Sequence, residues 1–213
     1  RYAIDERWVL PHFDKMLYDQ ALLTLAYLEA YQATGKPLYL QTAREVLAYV
    51  LRDLRAPEGA FYASEDADSE GLEGRFYTWS VEEIRGAIED PDLAARVVVA
   101  YNILHWERSP EALAAAHGLT PEALAAKLEQ AWQRLFLYRA QRVRPGRDEK
   151  ILTDWNGLMI AALARAAQIS GEPVYAQAAQ QAMAFMERAL FTSEGRLLHC
   201  YREGEARIQG FLD

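Results

Sequence analysis

The chain has 213 residues, 51% of them hydrophobic and 25% charged, with a formal net charge of -8. This composition excludes a disordered chain, and no apolar run approaches the roughly 20 residues that a membrane-crossing helix needs, so neither a membrane nor a disordered partner role is expected. The acidic balance argues against a nucleic-acid partner, which would need concentrated positive charge to displace counterions.

In chain order the first informative stretch is polar. His12, Asp14, Lys15 and Asp19 lie just ahead of, or at the start of, an apolar segment from Ala21 to Tyr31 in which only Thr24 and Glu29 are plainly polar. A helix apolar nearly all round is expected to be covered on most sides. Gly35 suits the left-handed position that closes this helix, and Pro37 the first turn of the next. In that second helix Leu40, Ala43, Val46, Leu47, Val50 and Leu54 form one stripe opposite Gln41, Arg44, Glu45 and Arg52, the pattern of a helix with one face in water.

Two short aromatic stretches, 60–64 and 75–79, read as small β-hairpin strands flanking the most polar loop of the chain, which carries Glu65, Asp66, Asp68, Glu70 and Glu73. Asp66, Asp68, Glu70 and the turn glycine Gly71 have a calcium-like spacing. The twelfth position, however, is Tyr77 where an EF-hand requires glutamate, and no metal is assigned. As catalytic material the loop offers several carboxylates, of which glycoside hydrolysis needs two; as plain structure it is a solvated acidic turn.

Ser80 and Glu83 form a capping box, so a helix is expected from there. Ser109-Pro110 and Thr120-Pro121 announce two more. Arg134, Arg139, Arg142, Arg144 and Arg147 make a local basic stretch, either a solvated helix end and loop or a clamp for an acidic ligand. Beyond it Asp148, Glu149, Lys150, Asp154, Trp155 and Asn156 precede another apolar helix, and residues 196–202 again look like hairpin material.

This last segment repeats the first. Shifted by 136 residues, Gly35-Lys36-Pro37-Leu38-Tyr39 falls on Gly171-Glu172-Pro173-Val174-Tyr175, while Leu22, Ala26, Ala30 and Gln32 fall on Leu158, Ala162, Ala166 and Gln168 without a gap. Asp14 is then the counterpart of Lys150. Such a repeat predicts stacked helical hairpins, an inner layer of apolar first helices inside an outer layer of striped second helices. The roughly eight helices expected exceed a four-helix bundle and fall short of six hairpins, and residues 1–213 read as one domain. Inner helices that share a direction would turn both polar beginnings toward one mouth, where free backbone N–H groups favour carboxylates or a polar ligand.

His12 is the candidate proton acceptor there, because imidazole titrates near neutral pH; a packed histidine bonded to backbone is the plain alternative. Trp79, Trp106, Trp132 and Trp155, together with Tyr62, Phe76 and Tyr77, could stack on a sugar ring; most read as core, and only Trp155 stands beside the polar cluster. The single cysteine, Cys200, allows no intrachain disulfide, so a reducing, cytoplasmic setting is expected. No phosphate loop, serine elbow or zinc-spaced histidine pair is present, and no cofactor is expected.

Three segments, Pro11 to Ala21, Glu65 to Gly71 and Asp148 to Leu158, together resemble the signatures of the thioredoxin-domain-containing family that includes the bacterial YyaL-like proteins and the animal spermatogenesis-associated homologue. The resemblance covers essentially the whole chain. It implies an all-α fold, an α/α-toroid similar to six-hairpin glycosidases and N-acylglucosamine 2-epimerases, here an incomplete ring with short β-hairpins between helices. It also implies a thioredoxin-like domain in cis ahead of the toroid; no Cys-x-x-Cys occurs in this sequence, which looks like a piece of the helical part. The family usually has glutamate at Asp14, aspartate at Glu149 and a small residue at Asp154, and a Gly-Asn-aromatic-Glu loop is expected between Tyr101 and Asn102 and is missing.

The functional expectation is a carbohydrate-active domain with a sugar-like ligand, an epimerase or isomerase before a glycosidase. His12, Asp14 and Lys150 would be catalytic, and Lys15, Asp19, Glu65, Asp66, Asp68, Glu73, Asp154, Trp155 and Asn156 would bind substrate. The alternative is a noncatalytic module that holds a glycan or peptide for the attached thioredoxin-like domain.

Overall fold

Glycine and proline punctuation shapes the chain as the repeat predicts. In the computed structural model, which describes residues 2–88, 98–100, 103–105, 110–116 and 118–210, helix α1 (Leu17–Thr34) ends on Gly35 and α2 (Pro37–Tyr49) starts on Pro37. Helices α6 (Thr153–Ser170) and α7 (Pro173–Ala189) follow the same plan around Gly171 and Pro173. Gly35 and Gly171 have φ of 66° and 73°, a left-handed conformation that costs a side chain about 1 kcal/mol or more. Between the two hairpins come α3 (Val81–Ala87), α4 (Pro110–Ala116) and α5 (Pro121–Arg139). The described residues are thus mainly helical, as expected of the all-α class, and the strands are short.

The chain divides into two units, one formed by Arg1–Phe13 with Ala67–Gly146 and the other by Asp14–Asp66 with Arg147–Asp213. The second unit holds both copies of the repeat. Its core joins Leu17, Ala21 and Leu28 of α1 to Leu47 of α2 and to Met159, Ala162, Leu163 and Ala166 of α6, all essentially inaccessible to solvent. Small residues at the α1 and α6 contact let the two helices lie close, and burying each leucine contributes roughly 1.5–3 kcal/mol. Helix α1 is less enclosed than its all-round apolar pattern predicts, since Leu22 and Leu23 remain 50% and 39% exposed. Helix α2 runs on into a π-helical turn, Val50–Leu54, which buries Val50 and Leu54.

The repeat extends into strand register. Strand β1 (Lys15–Met16) pairs with β2 (Ser64–Glu65) as Lys15↔Glu65 and Met16↔Ser64, and β8 (Ile151–Leu152) pairs with β9 (Leu198–Arg202) as Ile151↔Tyr201 and Leu152↔Cys200. Each partner has moved by the same 136 residues. On its other edge β2 takes up β7 (Arg147–Asp148), with Glu65 opposite Arg147, and β9 takes up β10 (Glu205–Gln209). The hairpin expected over residues 196–202 is therefore the β9–β10 ladder.

In the first unit Ser80 accepts from the Glu83 N–H while the Glu83 carboxylate accepts from the Ser80 N–H, which is the expected capping box. Thr120 caps α5. The stretch 75–79, expected as a strand, is instead a turn. The acidic loop forms the hairpin itself, β3 (Asp68–Ser69) with β4 (Leu72–Glu73), reversing at Glu70 and Gly71 with φ of 54° and 77°. Arg142 explains the turn, because its guanidinium donates to the carbonyls of Phe76 (2.9 Å) and Thr78 (2.7 Å) and to Glu83 (2.9 Å) and so claims carbonyls that a strand would have offered to a ladder. Strand β5 (Val98–Ala100) pairs with β6 (Ile103–His105). Trp106, Ser109 and the loop expected between Tyr101 and Asn102 lie outside the described residues.

Candidate functional site

In the second unit the two polar beginnings come together. The Tyr18 and Trp155 rings, one residue or two into α1 and α6, meet edge to face at 4.8 Å, and far along the same helices Arg165 reaches Glu29 and Gln32. Contacts at matching positions at both ends mean that α1 and α6 run parallel, so their N-termini lie side by side. Neither N-cap, Met16 nor Leu152, offers a capping side chain. The first N–H of α1 is taken instead by the Ala63 carbonyl at 2.9 Å, and the nearby carboxylates Asp19 and Asp154 sit in first turns, where the helix dipole favours them.

The β1–β2–β7 sheet gathers further sequence-selected residues. Lys15, Glu65 and Arg147 stand opposite one another on successive strands, a cation, a carboxylate and a cation on one face, with Glu65 only 2% exposed. With strands about 4.8 Å apart, Lys15 and Arg147 flank Glu65 at a mutual separation of roughly 10 Å. Asp14 and Asp66 adjoin this ladder, half-buried and exposed. Lys150 pairs with Asp148 at 3.0 Å.

Asn156 is fully buried and spends its amide on backbone. Its Oδ1 accepts from the Phe61 N–H (2.8 Å), and its Nδ2 donates to the carbonyls of Phe61 (3.0 Å) and Leu152 (2.9 Å). That ties the start of α6 to the segment leaving the first hairpin. Two sequence-chosen residues of the first unit, Asp68 and Glu73, face each other across the β3–β4 hairpin and are exposed. His12 belongs to the first unit too, where its N–H donates to the Tyr2 carbonyl (3.0 Å) and its ring lies 4.7 Å from that of Tyr2.

A cleft of about 340 Å³ opens in the second unit, walled by Tyr62, Arg147, Asp148, Glu149, Tyr201 and Arg202 among others. The Arg147 guanidinium lies 4.4 Å from the Tyr62 ring centre, donates to the Asp53 carbonyl (3.1 Å) and pairs with Glu149 (2.6 Å). Burial, and secondarily the Glu149 carboxylate, pushes the Tyr62 phenol above its usual range. Burial also raises the Cys200 thiol, against the opposing pull of Lys150. Asp148 and Glu149 were within reach of motif reasoning, and Tyr62 was among the aromatics that could stack on a sugar; Tyr201 and Arg202 were not singled out, because nothing in their local sequence marks them.

Of the basic stretch, Arg139 lies over the Phe76 and Tyr77 rings and Arg142 lies 4.3 Å from the Trp79 ring centre, so these cations serve the chain's own aromatics and carbonyls. Among the described residues no group of three or more His, Cys, Asp and Glu side chains could hold a metal ion, and no helix is long and apolar enough to cross a membrane.

No protein-family model matches the chain. Among solved structures it is similar to a D-mannose isomerase (14% identity, TM-score 0.30, 90% of this chain and 46% of that one) and to a cellobiose 2-epimerase from Bacillus thermoamylovorans (12%, TM-score 0.29, 92% and 66%). Likenesses this distant carry no weight on the reaction. Sequence relatives are closer: spermatogenesis-associated protein 20 of Homo sapiens is 33% identical over 94% of this chain, and that of Mus musculus 35% over 94%. The chain spans 30% of the length of each. Over nearly its whole length, then, the chain is a homologue of spermatogenesis-associated protein 20, matching a segment of about 30% of that protein, the relationship that its three motifs predict.

Proposed function

We propose that this chain carries a carbohydrate-type ligand site, and that its chemistry is epimerisation or isomerisation before glycoside hydrolysis. The observation that supports this most is the second unit's cleft. Its volume of about 340 Å³ falls within the roughly 300–1,000 Å³ of small-molecule pockets. Two phenols, two guanidinium groups and several carboxylates line it, the mixture of flat apolar faces and hydrogen-bonding groups that suits a polyhydroxylated ring.

Epimerisation next to a carbonyl needs a base that removes a proton from carbon, a cation or donor that steadies the enediolate, and return of the proton to the opposite face. On its chemistry His12, a residue of the first unit and not one of those that line this cleft, is proposed as the proton acceptor. Lys150, whose ammonium is held by Asp148 at 3.0 Å, is proposed as the charge-balancing group together with Asp14. Trp155 and Tyr18 would offer aromatic surface, with Lys15, Glu65, Asp66 and Asp154 as polar contacts. Asn156 would act by holding the Phe61 segment in place.

One observation favours the alternative, a noncatalytic module that holds a glycan or peptide for the thioredoxin-like domain expected in cis. Arg147 is paired with Glu149, Arg202 with Glu203 and Lys150 with Asp148, while the Tyr62 phenol and Cys200 thiol are pushed toward their neutral forms. Proton NMR of neutral sugars incubated with the full chain in D2O separates the two. Loss of the signal at the carbon next to the carbonyl, abolished in His12→Ala and slowed at least tenfold in Lys150→Ala, is the enzymatic result. Sugar binding with no exchange after long incubation establishes the module, and exchange unchanged by His12→Ala removes that residue from the mechanism.

A further inference from the structure

Arg147 is the most heavily engaged charged side chain of the cleft. Nη1 donates to the Asp53 carbonyl at 3.1 Å, Nη2 pairs with the Glu149 carboxylate at 2.6 Å, and the guanidinium lies 4.4 Å from the centre of the Tyr62 ring. The Asp53 carbonyl is presented by the π-helical turn Val50–Leu54 that closes α2. Such turns displace carbonyls from the regular i to i+4 ladder, and they collect at functional sites. The backbone of Arg147 is fixed as well, since β7 sets it opposite Glu65. A planar fork anchored at both ends can hold a carboxylate in one orientation, which the flexible point charge of a lysine cannot do.

We infer that Arg147 is a positioning residue, a strut between the π turn and the cleft that fixes the Glu149 carboxylate against the Tyr62 ring. Two of its five N–H donors and one face of its guanidinium are engaged within the second unit. The significance for a ligand rests on the reading of this cleft as a binding site, but the strut itself can be tested without one. Glu58 and Glu149 are the acidic groups that act on Tyr62, and Arg147 is the basic one.

The test follows the Tyr62 phenol by NMR in the full chain labelled with 13C-tyrosine, its signal assigned with Tyr62→Phe. Removing the negative neighbour with Glu149→Gln lowers the titration midpoint of Tyr62, on the order of half a pH unit or a threefold change in acid constant for one partly screened unit charge. In an Arg147→Lys background, which keeps the charge and loses the fork, the same Glu149→Gln change shifts the midpoint by less than a third as much. Equal shifts in the two backgrounds overturn the inference, because an arginine that only packs on Tyr62 would leave the influence of Glu149 intact. A second measurement covers the case in which Arg147→Lys fails to fold: in the wild-type chain the Arg147 Nη nitrogens give separate, slowly exchanging 15N signals, and a single rotationally averaged signal overturns the strut. Adding a panel of neutral mono- and disaccharides then probes the other reading alone. A Tyr62 signal that ignores all of these sugars counts against the ligand site and leaves the strut standing.

Discussion

Asn156→Ala is the substitution whose cost follows most directly from the structure. Asn156 is inaccessible to solvent, and its amide satisfies both the N–H and the carbonyl of Phe61, itself fully buried. Alanine would leave those two backbone groups without their partner in a place that water does not reach. Each unsatisfied buried group costs about 1–3 kcal/mol, so the change should destabilise the second unit by roughly 2–5 kcal/mol, a large share of a typical 5–15 kcal/mol total. Asn156→Asp does not rescue it, because a carboxylate cannot donate to the Phe61 carbonyl. Urea unfolding should show a lower midpoint, and amide hydrogen exchange should show the Phe61 N–H losing protection ahead of the α1 and α6 core. A loss below about 0.5 kcal/mol with Phe61 still protected would refute the reasoning, since surface substitutions alone give that much.

Other substitutions probe other links. Gly74 has φ of 72°, and a Cβ there would meet the Phe13 ring at 2.5 Å, so Gly74→Ala should cost about 2–4 kcal/mol, whereas Gly35→Ala, with φ of 66° and open space around it, should cost only about 1 kcal/mol; thermal melts of the two variants compare them. Arg142→Ala should destabilise the first unit by about 2–4 kcal/mol in urea titrations, by freeing the Phe76 and Thr78 carbonyls and the Glu83 carboxylate, and Arg142→Lys should recover little of it. Because burial raises the Cys200 thiol, its alkylation by iodoacetamide at pH 8 should be slower than that of free cysteine and should accelerate on unfolding. The Asp5 carboxyl, which accepts from the Leu10 and Val9 N–H groups, titrates below the ordinary aspartate range, so the stability it contributes is present above the unfolded value and is lost as pH falls through the folded one; an NMR pH titration compared with Asp5→Asn checks it.

What was legible in the sequence was what local chemistry and repetition encode. The glycine and proline pairs at 35 and 37 and at 171 and 173 end and begin helices for reasons internal to a few residues, and Ser80 with Glu83 does likewise. The offset of the repeat carried further than side-chain identity, since it also relates Lys15↔Glu65 to Ile151↔Tyr201. The rest depends on long-range partners that no periodicity records. Residues 75–79 have strand-forming composition, yet Arg142 claims their carbonyls from more than sixty residues away. Asn156 looks like a polar residue at a helix start, and only the approach of Phe61, 95 residues earlier, makes it a buried brace. Tyr62, Arg147 and Glu149 meet in the same way, which is why the cleft could not be found from motifs although Asp148 and Glu149 border it.

Mapping of neutral sugars onto the assigned spectrum of the full chain tests the central claim most directly. Titration with a panel of neutral mono- and disaccharides should move the signals of Tyr62, Asp148, Glu149 and Tyr201 together and saturably for at least one of them, and leave those of the β3–β4 hairpin still. Shifts scattered over the surface, or none at tens of millimolar sugar, would contradict the account and leave the second unit a helical scaffold whose cleft holds something else.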